Sequence, residues 1–130
     1  MRAKYLGIKK TERLTVHNFN YESDEWLIMG GEYYIHCIAG FPEAEFFAIM
    51  DGDSIATVPA VFFELTDNTV PDNWILHILD DNYRGKFLLG PDVIVGNIDR
   101  YDDFVNTEFT DEIWDYLESL GKDGETIMPD

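Results

Sequence analysis

The stretch from Trp26 to Leu65 constrains the fold of this chain more than any other part of its sequence. It reads WLIMGGEYYIHCIAGFPEAEFFAIMDGDSIATVPAVFFEL, so that short apolar runs alternate with glycine, proline and acidic residues. Runs of this length that are rich in aromatic and branched residues and bounded by turn-forming residues are typical of β-strands. The stretch therefore predicts a small twisted antiparallel sheet or barrel whose side chains supply much of the hydrophobic core.

Two dipeptides within this stretch predict tight turns. Gly30-Gly31 separates residues 25–29 from residues 32–39, and Asp51-Gly52 separates the runs EFFAIM and SIATV. Both dipeptides favour the positive φ angles that two-residue hairpin loops require. We therefore expect one β-hairpin at each of them.

Further strands are predicted on both sides of this stretch. Residues 2–9 and 14–19 alternate weakly between apolar and polar side chains, which favours two strands near the start of the chain. The run WILHIL at residues 74–79 is nearly continuously apolar, as expected of a strand that is buried on both faces. The run KFLLG predicts a strand that ends at Gly90-Pro91, and DVIVG at 92–96 predicts another short strand.

The segment after Ile98 changes to a helical pattern. Thr110 is placed to cap a helix, acidic residues occupy its first turn, and Gly121 suits the C-terminal cap. Four apolar residues fall at the spacings of a single stripe, namely Ile113, Trp114, Leu117 and Leu120. The sequence therefore predicts one amphipathic C-terminal helix, followed by a polar tail at 122–130 that we expect to be frayed.

These elements predict an α+β protein with a mainly antiparallel twisted sheet or small barrel and one C-terminal amphipathic helix. A chain of 130 residues has the usual size of one domain and can bury a core without disulfides or metal. We expect a single domain over residues 1–130, in which residues 1–67 form a β-meander or barrel. The strands and the helix of residues 74–121 are then expected to pack on it.

The order of motifs in the central stretch resembles the SH3-like small β-barrels. L-x-x-G-G-E-Y-Y-I is followed by F-F-A-I-M-D-G-D and then by V-P-A-V-F-F-E-L, which is similar to the meander of such domains. The resemblance covers residues 27–65 and implies a fold without implying a function. The chain lacks the ALYDY-type segment of peptide-binding SH3 domains, so the resemblance does not imply a groove for proline-rich peptides.

The charge of the chain is large and uneven. Residues 1–14 carry a balance of +4, and since the whole chain carries −17, the rest carries −21. A field of this sign repels nucleic acid and anionic membranes and speeds the encounter with basic partners. The chain also has no signal-like N-terminal segment and no apolar run long enough to span a membrane. We therefore expect a cytoplasmic protein that binds neither nucleic acid nor membrane directly.

Few residues suggest catalysis. The histidines at 17, 36 and 77 lack the spacing of a zinc site, and no glycine-rich loop has the spacing of a nucleotide site. Asp51-Gly52-Asp53 predicts a turn in preference to a calcium loop. Cys37 lies in an apolar run and is predicted to be a small buried side chain, although a nucleophilic pair with His77 or based on His36 stays open. We expect no cofactor, no metal and no enzymatic activity.

The acidic residues after Ile98 are the best candidates for a binding surface. Carboxylates spaced along a helix can imitate a run of phosphates, and aromatic residues among them can form a binding hot spot. The alternative is a solvated helix face beside ordinary core aromatics. The predicted partner-binding residues are Asp99, Asp102, Asp103, Glu108, Asp111, Glu112, Asp115 and Glu118, with Tyr101 and Tyr116.

By size and charge the chain resembles small acidic inhibitors, such as toxin-immunity proteins and phage anti-defence proteins, including anti-CRISPR proteins. This resemblance implies a non-catalytic binder that occupies the positively charged site of a basic protein, for example a nuclease or a CRISPR effector. Two alternatives stay open. One is a small hydrolase-like enzyme with a carboxylate or histidine cleft, and the other is an accessory structural component of a larger assembly.

Overall fold

The strand runs predicted from the sequence are sorted into two separate antiparallel sheets. A computed structural model describes residues 1–7, 26–41, 44–79 and 87–129. The strands within these ranges are β1 Arg2–Tyr5, β2 Glu32–Tyr34, β3 Cys37–Gly40, β4 Glu45–Asp51, β5 Ser54–Pro59, β6 Phe63–Asp67, β7 Trp74–Ile78 and β8 Phe87–Pro91. The helices are α1 Asp92–Val95, α2 Ile98–Val105 and α3 Asp111–Leu120, with 3-10 turns at Ala60–Phe62 and Gly121–Gly124.

The smaller sheet has the strand order β2-β1-β6, and the larger has the order β5-β4-β3-β8-β7. All the neighbouring pairs are antiparallel, and both sheets are open. The predicted class, an α+β protein with a mainly antiparallel sheet and a C-terminal helix, is confirmed. Strand β8 lies beside β3, so the second half of the chain extends the sheet that the first half begins.

The two predicted hairpins have different outcomes. Asp51 pairs with Ser54 across a two-residue loop in which Gly52 has a φ of 60°, so the hairpin at Asp51-Gly52 is confirmed. Gly30 also adopts a positive φ, of 77°, but residues 26–29 form no strand, so the hairpin predicted at Gly30-Gly31 is wrong. Instead, β2 pairs with β1.

The run predicted as one strand over 32–39 contains two. It breaks at residues 35 and 36, so that β2 belongs to the smaller sheet and β3 to the larger. Ile35 and His36 are both buried where the chain passes from one sheet to the other. The sequence does not show such a break, because the residues before it and after it both face a hydrophobic core and are therefore apolar.

The helical region is larger than predicted. In α3 the Thr110 hydroxyl accepts a hydrogen bond from the Ile113 amide at 3.3 Å, and Gly121 ends the helix with a φ of 53°, as expected. The DVIVG segment, predicted as a strand, is helix α1, since Pro91 precedes its first turn and Ile94 and Val95 are buried. Helix α2 was not predicted at all.

Among the described strands β7 lies at the edge of the larger sheet, and it has exposed side chains on both faces, so the prediction that it is buried on both faces is wrong. Ile75, Leu76 and Ile78 are all exposed, whereas Trp74 is buried at one end. His77 shares a face with Ile75, and its Nδ1 donates a hydrogen bond to the Val95 carbonyl of α1 at 2.8 Å.

The larger sheet separates two hydrophobic clusters. One lies between the two sheets and includes Tyr5, Ile35 and Phe63. The other lies between the larger sheet and the helices and includes Leu88 and Phe104. The helices therefore pack against one face of the larger sheet, and the carboxylates lie on the sides of the helices that face away from it.

The C-terminal tail is held against the smaller sheet, in contrast to the expected frayed tail. Ile127 forms a β-bridge with Glu32 of β2, and the Arg2 guanidinium donates hydrogen bonds to the carbonyls of Asp123 and Glu125. Residues 2–5 of the predicted first strand form β1. The predicted strand at 14–19 lies outside the described residues.

Candidate partner-binding surface

Helices α2 and α3 present the predicted acidic residues. In α2 the Asn97 side chain accepts a hydrogen bond from the Arg100 amide at 2.9 Å and caps the helix. Tyr101 and Phe104, three residues apart, are buried against the sheet. The period of the helix turns Asp99 and Asp102 away from that contact.

Seven of the eight predicted carboxylates are exposed, and Asp103 is partly buried. We call this set the acidic surface, and it consists of Asp99, Asp102, Asp103, Glu108, Asp111, Glu112, Asp115 and Glu118. Asp111 and Glu112 lie in the first turn of α3, where the helix dipole favours negative charge.

Three of these carboxylates line one groove between the helices. Asp103 of α2 and Asp111 and Glu112 of α3 surround a groove of about 320 Å³. Arg100 also lines it, but its guanidinium is bonded to the Asp92 carboxylate at 3.1 Å. The groove is therefore rich in carboxylates, and the guanidinium beside it already has an acidic partner.

The segment between α2 and α3 is fixed to the larger sheet. The Thr107 hydroxyl accepts a hydrogen bond from the Ile55 amide of β5 at 3.1 Å, and Thr107 has a φ of 61°. A non-glycine residue in this region is uncommon and is kept there by its surroundings. The hydrogen bond holds the relative position of the two acidic helices.

Trp114, which the sequence places in the apolar stripe of α3, is an exposed aromatic residue beside the acidic surface. Its side chain is 53% exposed, and its ring lies edge-on to Phe109 at 5.2 Å. Ile113, the preceding residue, is buried. Adjacent residues of a helix lie about 100° apart, and α3 is turned so that Ile113 meets the core and Trp114 does not. A tryptophan among exposed carboxylates is a suitable hot-spot residue.

Of the two tyrosines predicted to bind a partner, Tyr101 is buried in the core and Tyr116 is partly buried against it. Tyr101 is buried in the cluster beneath the helices, and burial raises the pKa of its phenol. Burial also raises the pKa of Tyr116, whose hydroxyl shares a hydrogen bond of 3.0 Å with His36 Nδ1. Neither tyrosine is presented as openly as the carboxylates are, and a role of the two side chains in binding a partner stays a prediction.

The residues considered for nucleophilic chemistry are also buried. Cys37 is 1% exposed, as predicted, and burial raises the pKa of its thiol to about 12. His36 is 2% exposed, and burial lowers the pKa of its imidazole to about 4. Since the thiolate is the nucleophilic form, a thiol with this pKa is inert at neutral pH.

No metal site is formed by the residues that the structure describes, where no three histidine, cysteine or acidic side chains converge. Asp51-Gly52-Asp53 forms the hairpin turn. Within the same ranges, no helix has the length and apolar character needed to cross a membrane.

No protein-family model, no curated protein and no solved structure matches this chain. The resemblances to SH3-like barrels and to small acidic inhibitors therefore stay predictions.

Proposed function

We propose that this chain is a non-catalytic inhibitor that binds a basic, nucleic-acid-handling protein and occupies its positively charged site. The observation that supports the proposal most is the acidic surface itself, whose carboxylates lie on or beside α2 and α3, together with the exposed Trp114 on α3. The proposal covers phage anti-defence and toxin-immunity inhibitors, whose partners include nucleases and CRISPR effectors. Such a protein works in the cytoplasm.

The dimensions of α3 suit this role. Its ten residues span about 15 Å at a rise of about 1.5 Å per residue. Asp111, Asp115 and Glu118 are exposed along that length, which is comparable with the spacing of several phosphates along one strand. A site that binds a nucleic-acid backbone can therefore meet several carboxylates at once.

The net charge of −17 determines how such a complex forms. Complementary charge speeds the diffusional encounter of two proteins, and this attraction weakens as salt is added. Exposed carboxylates at the rim contribute mainly to this association rate. Trp114 buries apolar area on binding and contributes mainly to the lifetime of the complex.

Inhibition of nucleic-acid cleavage tests the proposal. A panel of purified nucleases and CRISPR effectors is assayed for DNA and RNA cleavage with the protein at equimolar and tenfold excess. We expect stoichiometric inhibition of at least one enzyme, with competition between the protein and nucleic acid for the same site. Inhibition is expected to weaken between low and high salt.

Two triple variants with equal charge change separate a specific surface from general acidity. Glu112, Asp115 and Glu118 are replaced by lysine in one variant, and the exposed Glu45, Asp53 and Glu64 are replaced by lysine in the other. The first variant should lose inhibition and the second should keep it. The proposal fails if no enzyme in the panel is inhibited or if the two variants lose inhibition equally.

A further inference from the structure

Strand β7 is the last strand of the larger sheet among the residues that the structure describes, and it carries exposed apolar side chains. It pairs with β8 on one side, and no strand in the described parts of the chain pairs with its other side. Leu76 is 59% exposed and Ile78 is 63% exposed. These two side chains point to the same face, because alternate residues of a strand share a face.

The pairing register shows which face this is. Leu76 lies at the end of a row that crosses all five strands, through Leu89, Ile38, Phe47 and Val58. Phe47 and Val58 are buried in the cluster between the two sheets, whereas Leu89 and Ile38 are only partly buried. This face is therefore covered at β4, at β5 and at Trp74, and it is left uncovered at Leu76 and Ile78 of β7.

Edge strands of this kind are normally protected. Proteins place charged residues, proline or bulges on an edge to prevent pairing with another chain. The sequence of β7 is WILHI, which contains no charged residue and no proline. The two ways of protecting an edge by side-chain type are both missing from this strand.

A second copy of the chain is a poor occupant for this edge. Each copy carries −17, so the net charges of two copies oppose their association. A standard interface between two proteins also uses about 20 to 30 residues on each side. The exposed apolar side chains of β7 are far fewer, which suits a single added strand better than a folded partner.

We propose that β7 is a docking strand for an extended basic segment of another protein, which adds to the larger sheet as its next strand. Main-chain hydrogen bonds supply the affinity, and apolar side chains of the segment cover Leu76 and Ile78. Lysine or arginine residues of the segment are attracted by the net charge of the chain. Asp72, which is separated from the strand by one residue, is exposed and can attract them locally. This site is distinct from the acidic surface and does not rest on the function proposed above.

A synthetic peptide of ten alternating valine and lysine residues, acetylated and amidated at its ends, is the probe. Its binding is followed by titration calorimetry and by amide chemical shifts. We expect saturable binding with the largest shifts at residues 74–78. A control peptide of equal charge carries N-methyl groups on four consecutive central residues, so that its central amides cannot donate hydrogen bonds from either edge of the peptide. It should bind about tenfold more weakly or worse.

Neutral substitutions in the protein provide a second comparison. Leu76→Gln with Ile78→Gln removes the exposed apolar side chains of β7 and should weaken peptide binding about tenfold. Leu65→Gln with Val70→Gln removes two other exposed apolar side chains at the same charge and should leave binding unchanged. Thermal melts confirm that both double variants stay folded.

Four results would overturn the proposal. The first is that the peptide shows no saturable binding at millimolar concentration, and the second is that the N-methylated peptide binds equally well. The third is that chemical-shift changes are confined to α2 and α3. The fourth is that the protein self-associates and that the double variant Leu76→Gln with Ile78→Gln abolishes this self-association. Shifts confined to the helices would indicate that charge alone recruits the peptide, which leaves the inhibitor proposal standing. Conversely, loss of nuclease inhibition in the α3 lysine variant, with peptide shifts retained at β7, would separate the two sites.

Discussion

The buried imidazole of His36 predicts a measurable dependence of stability on pH. His36 is almost fully buried, and burial lowers its pKa from the ordinary 6.5 to about 4. The folded protein therefore holds the imidazole neutral, whereas the unfolded chain takes up a proton as the pH falls below 6.5. The free energy of unfolding should fall over this range, because the unfolded state binds more protons.

The magnitude follows from the size of the shift. At about 1.36 kcal/mol per pKa unit, the shift corresponds to about 3 kcal/mol when the pH has fallen through 4. About 2 kcal/mol of this is lost between pH 7.5 and pH 5. The contribution of His36 is thus fully present above pH 6.5 and absent below pH 4.

Urea unfolding of the wild type and of His36→Gln at pH 7.5, 6 and 5 isolates this contribution. The carboxylates titrate in both proteins, so the difference between the two unfolding free energies reports His36. We expect the wild type to lose about 2 kcal/mol more than the variant between pH 7.5 and pH 5. A difference that stays constant over this range would refute the reasoning.

A second variant tests the cause of the shift. Tyr116→Phe removes the hydroxyl bonded to His36 Nδ1 and should lower the unfolding free energy by about 1–3 kcal/mol, since a buried nitrogen loses its partner. Because burial lowers the pKa of His36, the pH dependence should persist. Its disappearance in this variant would assign the shift to the hydrogen bond instead.

Three further predictions concern the helix cap, a close contact and the thiol. Thr110→Ala removes the cap of α3 and should cost about 1 kcal/mol in urea unfolding, whereas Thr110→Ser should cost little; equal losses would argue against the cap. In Gly40→Ala the new Cβ would lie 2.0 Å from the Phe87 ring, so we expect a lower melting temperature and a loss of about 1–3 kcal/mol, and a wild-type melt would contradict this contact. Cys37, whose pKa is raised to about 12 by burial, should react with iodoacetamide only in denaturant, and rapid labelling of the native protein would disprove its burial.

The parts of the fold that could be predicted are those that depend on neighbouring residues. The Asp51-Gly52 hairpin follows from the φ that its turn requires, and α3 follows from its cap and its first-turn acids. Burial of Cys37 follows from the apolar run around it. In each case the signal and the structure lie within a few residues of each other.

The remaining features depend on residues far apart in the chain. An apolar run such as β7 looks the same whether one or both faces are covered, since coverage depends on the placement of the smaller sheet. The burial of Tyr116 depends on His36, which is eighty residues earlier. For the same reason the sequence places Tyr116 on the binding surface and Trp114 in the apolar stripe, because it does not show which side of α3 meets the sheet.

The pairing of β1 with β6 also has a consequence for the order of assembly. Tyr5 pairs with Phe63, and Gly40 pairs with Phe87, whereas β4 and β5 are joined by a two-residue loop. Strands that are close in sequence pair quickly, whereas the pairing of distant strands carries the entropic cost of closing a long loop. The β4–β5 hairpin is therefore expected to form early, and the three-stranded smaller sheet can be completed only after β6 has been synthesised. Folding of this protein should accordingly be slower than its size alone suggests.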